Sequence, residues 1–327
     1  MNFPKLKIPE TIEDVTLDWL QQVFIPHKIS VVSFSLGGDA RDGRGYLSCL
    51  NRVNLQIERP SSLAIPELLA VIIKTVPSDP QVRAYALRVG YFANEFQMYT
   101  KVLPTINSFL DNRGVASESR FRSPVCYYGA EEEGATPDDY KCVLVLEDFT
   151  ASGYHVPEEG GKKSFDMTET KIALREVALL HASSAAYRKC KGLQFFRDEF
   201  TKLITHNLNE PALDNYIKTG FEITRKVLME SGDPLPEGLL ERFDTLEEEF
   251  KPIASKAFIS VDPANVNVIR HSDLWFNNIA FLRDDSGNAI HAKWFDFQVE
   301  RLKKLSNSFH HRSTALLKLM VPTTELQ

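Results

Sequence analysis

Asp273 and Asn278 lie in the stretch VIRHSDLWFNNIAF, Val268 to Phe281, and Asp296 lies in WFDFQ, Trp294 to Gln298, all set between apolar runs that read as strand ends. Oxygen-bearing side chains in such places suit phosphoryl transfer. One carboxylate takes a proton from an attacking hydroxyl, while an amide and a second carboxylate hold a hard divalent cation such as magnesium. The spacing lets Asp273 point at a substrate hydroxyl and Asn278, one short turn later, meet a metal for which Asp296 is the main carboxylate ligand. The same residues also suit an ordinary polar turn between two strands, and taken alone they leave both readings open.

Upstream residues favour the first reading when taken together. Lys74 ends LLAVIIKTV, a nearly continuous apolar run, where packing gives no reason for a cation. Glu95 lies in VGYFANEFQMYTKVLP on a helical face shared with Tyr91, Met98 and Val102. A nucleotide's phosphates need a fixed cation, and an opposing carboxylate holds a lysine on its flexible stem in place. Taken separately, Lys74 reads as a snorkelling edge residue and Glu95 as a solvated one. The turn GGDARDGRG, with Gly43 and Gly45, is a glycine-rich loop between strands, a weak phosphate signal by itself.

These residues need elements to position them. A loose apolar face predicts a helix from about Thr11 to Phe24, and period-two alternation predicts strands at KISVVSFSL and YLSCLNRVNLQIE on either side of the glycine-rich turn. LLAVIIKTV makes a third strand, and one long helix is expected from Pro80 through VLP. SPVCYYG and YKCVLVLEDF read as strands flanking the polar loop AEEEGATPDD. From Phe149 onward the pattern is helical, beginning with FDMTETKIALREVALLHASSAAY, where His181 reads as a core residue, and continuing to about Lys251. The change of period near Glu147 to Thr150 divides the chain into residues 1–148 and 149–327.

Bulk properties narrow the class. The chain has 327 residues, 43% hydrophobic and 25% charged, with no apolar run long enough for a transmembrane helix. A net charge of −6 without clustered Lys and Arg argues against a nucleic-acid partner. The N-terminus carries acidic residues and proline where a secretory signal needs an unbroken apolar stretch, so a cytoplasmic location and no membrane partner are expected. Cys49, Cys126, Cys142 and Cys190 form no C-x-x-C pair, which predicts reduced thiols rather than zinc ligands or disulfides.

HSDLWFNNIAF followed by WFDFQ resembles the H-G-D-x-W-x-x-N and D-F-Q signatures of the ecdysteroid kinase-like (CHK kinase-like) family, within the choline kinase and aminoglycoside phosphotransferase superfamily. GRGYLSCLNRV is similar to that family's glycine-rich loop followed by Tyr-x-Ser, VIIK to its nucleotide-lysine strand, and FANEFQMYTKVLP to its Phe-x-Asn-Glu helix. LVLEDFTASGY and ALLHASSAAY resemble its hinge and the following Leu-His-Ala helix, all in family order.

The resemblance implies an α+β, bilobal protein-kinase-like fold with a small β-rich N-lobe, a mainly helical C-lobe and ATP between them. The implied activity is ATP- and Mg2+-dependent transfer to a hydroxyl of a small-molecule alcohol, an ecdysteroid or related lipophilic compound. Carried over by position, Asp273 is the base, Asn278 and Asp296 hold magnesium, and Lys74 clamps phosphate with Glu95 as partner. Gly43, Gly45 and Ser48 belong to the nucleotide loop, and backbone groups around Glu147 to Phe149 hold adenine. His271 braces the catalytic loop and Trp275 packs it. A protein-serine kinase is disfavoured because no DFG triplet or Ala-Pro-Glu segment occurs.

Two departures are expected to matter. Ser272 stands where the family has glycine, so a positive φ there would carry strain. After Gln298 the family continues with a glycine turn and an Asp-Leu-Ala helix, whereas this chain reads VERLKKLSNSFHHRSTALLKLMVPTTELQ. A shortened acceptor lobe with uncovered apolar surface is the expectation, and a pseudokinase-like binding protein is the rival reading.

Overall fold

The computed structural model describes residues 3–39, 48–60, 66–88, 90–134, 136, 139–157, 165–203, 211–230, 236–259, 267–298 and 301–304. Gly43, Gly45 and the tail after Lys304 therefore lie outside the described residues.

Alternating apolar residues on β1 (Ser30–Asp39), β2 (Cys49–Glu58) and β3 (Glu67–Thr75) pair antiparallel, and β4 (Cys126–Glu132) and β5 (Lys141–Glu147) complete a five-stranded sheet in the order β1-β2-β3-β5-β4. Lys74 pairs with Leu50 on one side and Leu144 on the other, so its strand is central. Helix α1 (Leu17–Phe24) covers one sheet face, burying Trp19, Leu20, Val23 and Phe24 with Val31, Val53, Leu55 and Val145.

Helix α1 is shorter than its sequence suggests. Residues Ile12–Asp14 form a separate 3-10 turn, and the helix starts only after Thr16, whose hydroxyl accepts the Trp19 N–H at 3.2 Å. The single helix expected after Pro80 is likewise divided. Helix α2 (Pro80–Arg88) gives way to α3 (Tyr91–Gln97) at Gly90, which adopts φ +78° as the N-cap of α3. A π-helical turn, Met98–Val102, then leads into α4 (Leu103–Asp111). Gly90 is the residue that can take this left-handed conformation without a Cβ penalty.

The second half is mainly helical. Helix α5 (Met167–Lys191) begins with a reciprocal capping box between Asp166 and Glu169 and ends at Gly192, φ +88°. Most of its second half is buried, packed on β7 (Asn267–Arg270), β8 (Ile279–Arg283) and β9 (Ala289–Trp294). β9 also pairs through β8 with the short β6 (Tyr154–His155). Two buried carboxylates on α5 are paired: Glu169 with Arg283 and Glu176 with Arg122, each at 2.6 Å. Helices α6 (Leu193–Glu199), α7 (Pro211–Glu230) and α8 (Leu239–Ile259) follow, and β10 (Arg301–Lys304) pairs antiparallel with β7. The result is an N-terminal β-sheet lobe and a C-terminal helical lobe, a mixed α+β bilobal kinase-like arrangement. No helix among the described residues is long and apolar enough to cross a membrane.

His181 is buried on α5, as its place in the helical pattern suggests. Burial, helped by Arg270, pushes its imidazole down to about 4 from an ordinary 6.5. The unfolded chain therefore binds more protons than the folded one between these values. Stability is full above pH 6.5 and is lost as pH falls toward 4, by roughly 3 kcal/mol in all. Denaturant titrations across this range should show that slope, and His181→Gln should flatten it.

Candidate active site

β3 delivers Lys74 and α3 delivers Glu95 to the same place. The Lys74 ammonium lies 2.6 Å from Glu95 Oε2 and donates to Asp296 Oδ1 at 3.0 Å, so one cation bridges two carboxylates from distant parts of the chain. Lys74 and Glu95 are almost fully buried, whereas the Asp296 side chain is 34% exposed and open to a ligand. Burial opposes the Lys74 charge, but Asp296 and Glu95 more than offset this and hold its pKa above the ordinary lysine value. Burial also raises the Glu95 pKa, against the lowering by Lys74. The backbone around Asp296 is held by the next residues: Asn94 Nδ2 donates to the Gln298 carbonyl at 3.1 Å, tying α3 to the segment after β9.

The turn between β7 and β8 carries Asp273 and Asn278. Asn278 Nδ2 donates to Asp273 Oδ2 at 2.8 Å and to the Asp273 carbonyl at 3.2 Å, which fixes the carboxylate and leaves the amide oxygen of Asn278 as its acceptor group. The Phe295 N–H donates to the Asn278 carbonyl at 3.1 Å, joining this turn to the residue before Asp296. Burial, then the charge of Asp296, raises the Asp273 pKa above the ordinary carboxylate range, opposed by the Asn278 hydrogen bond. Asp273 lies near enough to Asp296 to feel its charge, and Asp296 in turn meets Lys74. The oxygens of Asn278 and Asp296 have the hardness magnesium requires.

His271 is 2% exposed, and its ring contacts Trp294 and Phe297. Its Nε2 lies 2.8 Å from the Phe295 carbonyl; because a carbonyl only accepts, Nε2 carries the proton. Burial lowers its pKa, so the ring is a neutral brace between the two turns. Trp275 packs its ring against Phe276 while remaining 46% exposed, beside Leu274, also 46% exposed.

Ser272, next to Asp273, adopts φ +56°. The condition under which serine carries strain at this position is met, and the side chain gains in return a long contact to the Arg270 carbonyl at 3.4 Å. Ser272→Gly should stabilise the fold by about 1 kcal/mol through relief of left-handed strain, read as an upward shift in melting temperature. An unchanged or lower value would mean that the turn accommodates serine without strain.

Of the remaining sequence candidates, Ser48 is buried immediately before β2, next to the Cys49–Thr75 pair. The backbone expected to meet adenine is partly engaged: the Glu147 N–H donates to Val125 O at 2.8 Å and the Asp148 N–H to Ala70 O at 3.1 Å. Phe149 opens a 3-10 turn capped by Asp148, and its ring packs 4.9 Å from that of Phe295. The structure adds residues that the sequence reading passed over. Lys293 reaches both oxygens of Glu147 at 2.6 Å, and Arg52 Nε donates to Asp148 Oδ2 at 2.5 Å. A cation inside the apolar strand end HAKWF is the same signal that singled out Lys74.

Among curated proteins no match was found. Of solved structures, an ethanolamine kinase from Plasmodium vivax is similar at 13% identity, with a TM-score of 0.34, over 88% of this chain and 63% of that one. The chain thus spans less than two thirds of that protein's length. The family model described as ecdysteroid kinase-like matches residues 42–307, a span holding Lys74, Glu95, Asp273, Asn278 and Asp296 together. With well over half of its length matched, the chain belongs to the ecdysteroid kinase-like family.

Proposed function

We propose that this chain is an ATP- and magnesium-dependent phosphotransferase that acts on a hydroxyl of a small lipophilic alcohol, an ecdysteroid or a related compound. The observation that carries this reading is the Lys74–Glu95–Asp296 ion cluster, joined by the Phe295 N–H to Asn278 carbonyl bond to the turn that holds the Asp273–Asn278 pair. Magnesium, when bound, would neutralise charge on the transferring phosphoryl group. Asp296 and Asn278 would hold it through the exposed carboxylate and the amide oxygen. Lys74, kept rigid by Glu95, would fix the nucleotide phosphates.

Asp273 is the group placed to take the acceptor's proton. Its raised pKa makes it a stronger base than an exposed aspartate, and Asn278 keeps it oriented. The apolar pair Leu274 and Trp275, exposed on the residues following this carboxylate, is compatible with a lipophilic acceptor. At the other end of the cleft, the engaged N–H groups of Glu147 and Asp148 leave the Phe149 N–H as the donor for adenine.

A binding protein without turnover is the second reading, and Ser272 at positive φ is the observation that favours it. Melting temperatures with ATP in magnesium and in chelator, followed by a turnover assay across steroid and other alcohols, separate the two. Ligand at 100 times its Kd adds about 2.7 kcal/mol of stability. A magnesium-dependent rise with turnover supports the transferase, a rise without turnover supports a nucleotide-binding protein, and no rise removes the transferase and leaves the small-molecule binding protein.

A further inference from the structure

We infer that Lys293 is a positioning residue that sets the adenine end of the cleft in register with its metal end. This rests on the nucleotide reading above and adds to it a residue outside the phosphate and proton-transfer groups. Alternation along β9 buries Ala292 and Trp294 on the core side and turns Lys293 to the opposite side. There its ammonium contacts both oxygens of Glu147 at 2.6 Å, with the two side chains only 13% and 11% exposed, and lies 4.8 Å from the centre of the Tyr154 ring.

Glu147 is itself over-determined. Its carboxylate also accepts the Val125 N–H at 3.1 Å and the Ser152 hydroxyl at 3.2 Å, so it ties together the end of β5, the start of β4 and the turn that begins at Phe149. Lys293 stands three residues before Asp296 in the sequence. A second contact joins the same two segments, the rings of Phe149 and Phe295 at 4.9 Å. One charged and one aromatic contact therefore clasp the backbone proposed for adenine to the strand that presents Asp296. The ammonium's partners are a carboxylate and an aromatic face.

ATP must satisfy both ends of the cleft with one rigid ligand, whereas adenosine needs only the first and magnesium tripolyphosphate only the second. Fixing the separation of two half-sites strengthens binding of the ligand that spans them and leaves its halves unaffected. The test is calorimetric binding of magnesium-ATP, adenosine and magnesium tripolyphosphate to the full chain and three variants. Lys293→Met strands a buried carboxylate and risks the fold, so Lys293→Met combined with Glu147→Gln removes both charges together; Lys293→Arg keeps the cation.

In the double variant, magnesium-ATP should lose about ten-fold more affinity than either adenosine or magnesium tripolyphosphate, and Lys293→Arg should keep most of the wild-type affinity. Unchanged ATP affinity in the double variant overturns the inference. An equal loss for all three ligands also overturns it, because that is the mark of a merely structural ion pair. A wild-type chain that binds neither ATP nor tripolyphosphate would instead overturn the nucleotide reading, and the inference with it.

Discussion

Asp273→Asn should lower kcat by about 100- to 10,000-fold while leaving magnesium-ATP affinity and melting temperature unchanged. Asparagine has the same shape, and its side-chain oxygen can accept the same hydrogen bond from Asn278 Nδ2 that Oδ2 of Asp273 accepts at 2.8 Å. Geometry therefore survives and basicity does not. Loss of the charge also removes a repulsion with Asp296, one of the two influences that raise the Asp273 pKa, so the variant has no electrostatic reason to unfold. Steady-state turnover and nucleotide binding measured on the same sample check both halves. Turnover within ten-fold of wild type would remove Asp273 as the base and leave positioning and phosphate charge as the sources of rate.

The fold was legible where packing imposes a simple period. Strands β2, β3 and β5 follow alternating or continuous apolar runs because they line a buried sheet, and α5 follows a helical stripe because β7, β8 and β9 pack against it. Helix boundaries were less legible. Val15 ends one turn and Thr16 caps the next helix, and nothing in local propensity distinguishes that from continuation. The break at Gly90 and the π turn at Met98–Val102 flank Glu95, whose contact with Lys74 exists only once β3 and α3 are brought together. Lys74 stood out because a central strand had no other use for a cation. Lys293 carried the same signal in a shorter strand and was passed over as part of an apolar run leading to Asp296. The positive φ of Ser272 depends on how the turn is held, including the short Asp273 N–H to His271 carbonyl contact at 2.7 Å, and residue identity alone only posed the question.

Lys74→Met should abolish magnesium-ATP binding and destabilise the protein by about 3–5 kcal/mol near pH 8, because it strands Glu95 as an uncompensated buried charge. The pH dependence gives the cause away. Burial already raises the Glu95 pKa, and Lys74 is the main influence lowering it, so in the variant the folded-state pKa rises further above its unfolded value. The folded variant then binds a proton that the unfolded chain releases, and its stability falls as pH rises through that window. Denaturant midpoints should therefore lie closer to wild type at pH 5 than at pH 8. Adding Glu95→Gln removes the stranded charge while keeping a group able to hydrogen-bond the Gln298 side chain, which Glu95 also contacts. That double variant should regain most of the lost stability and lose the added pH dependence, but regain none of the nucleotide affinity, since the phosphates still lack their cation. Recovery of folding without recovery of binding separates the structural part of this ion pair from its part in holding ATP. A Lys74→Met protein as stable as wild type at pH 8 would mean that Glu95 is already protonated, and the ion pair would then be no fixed anchor for a phosphate.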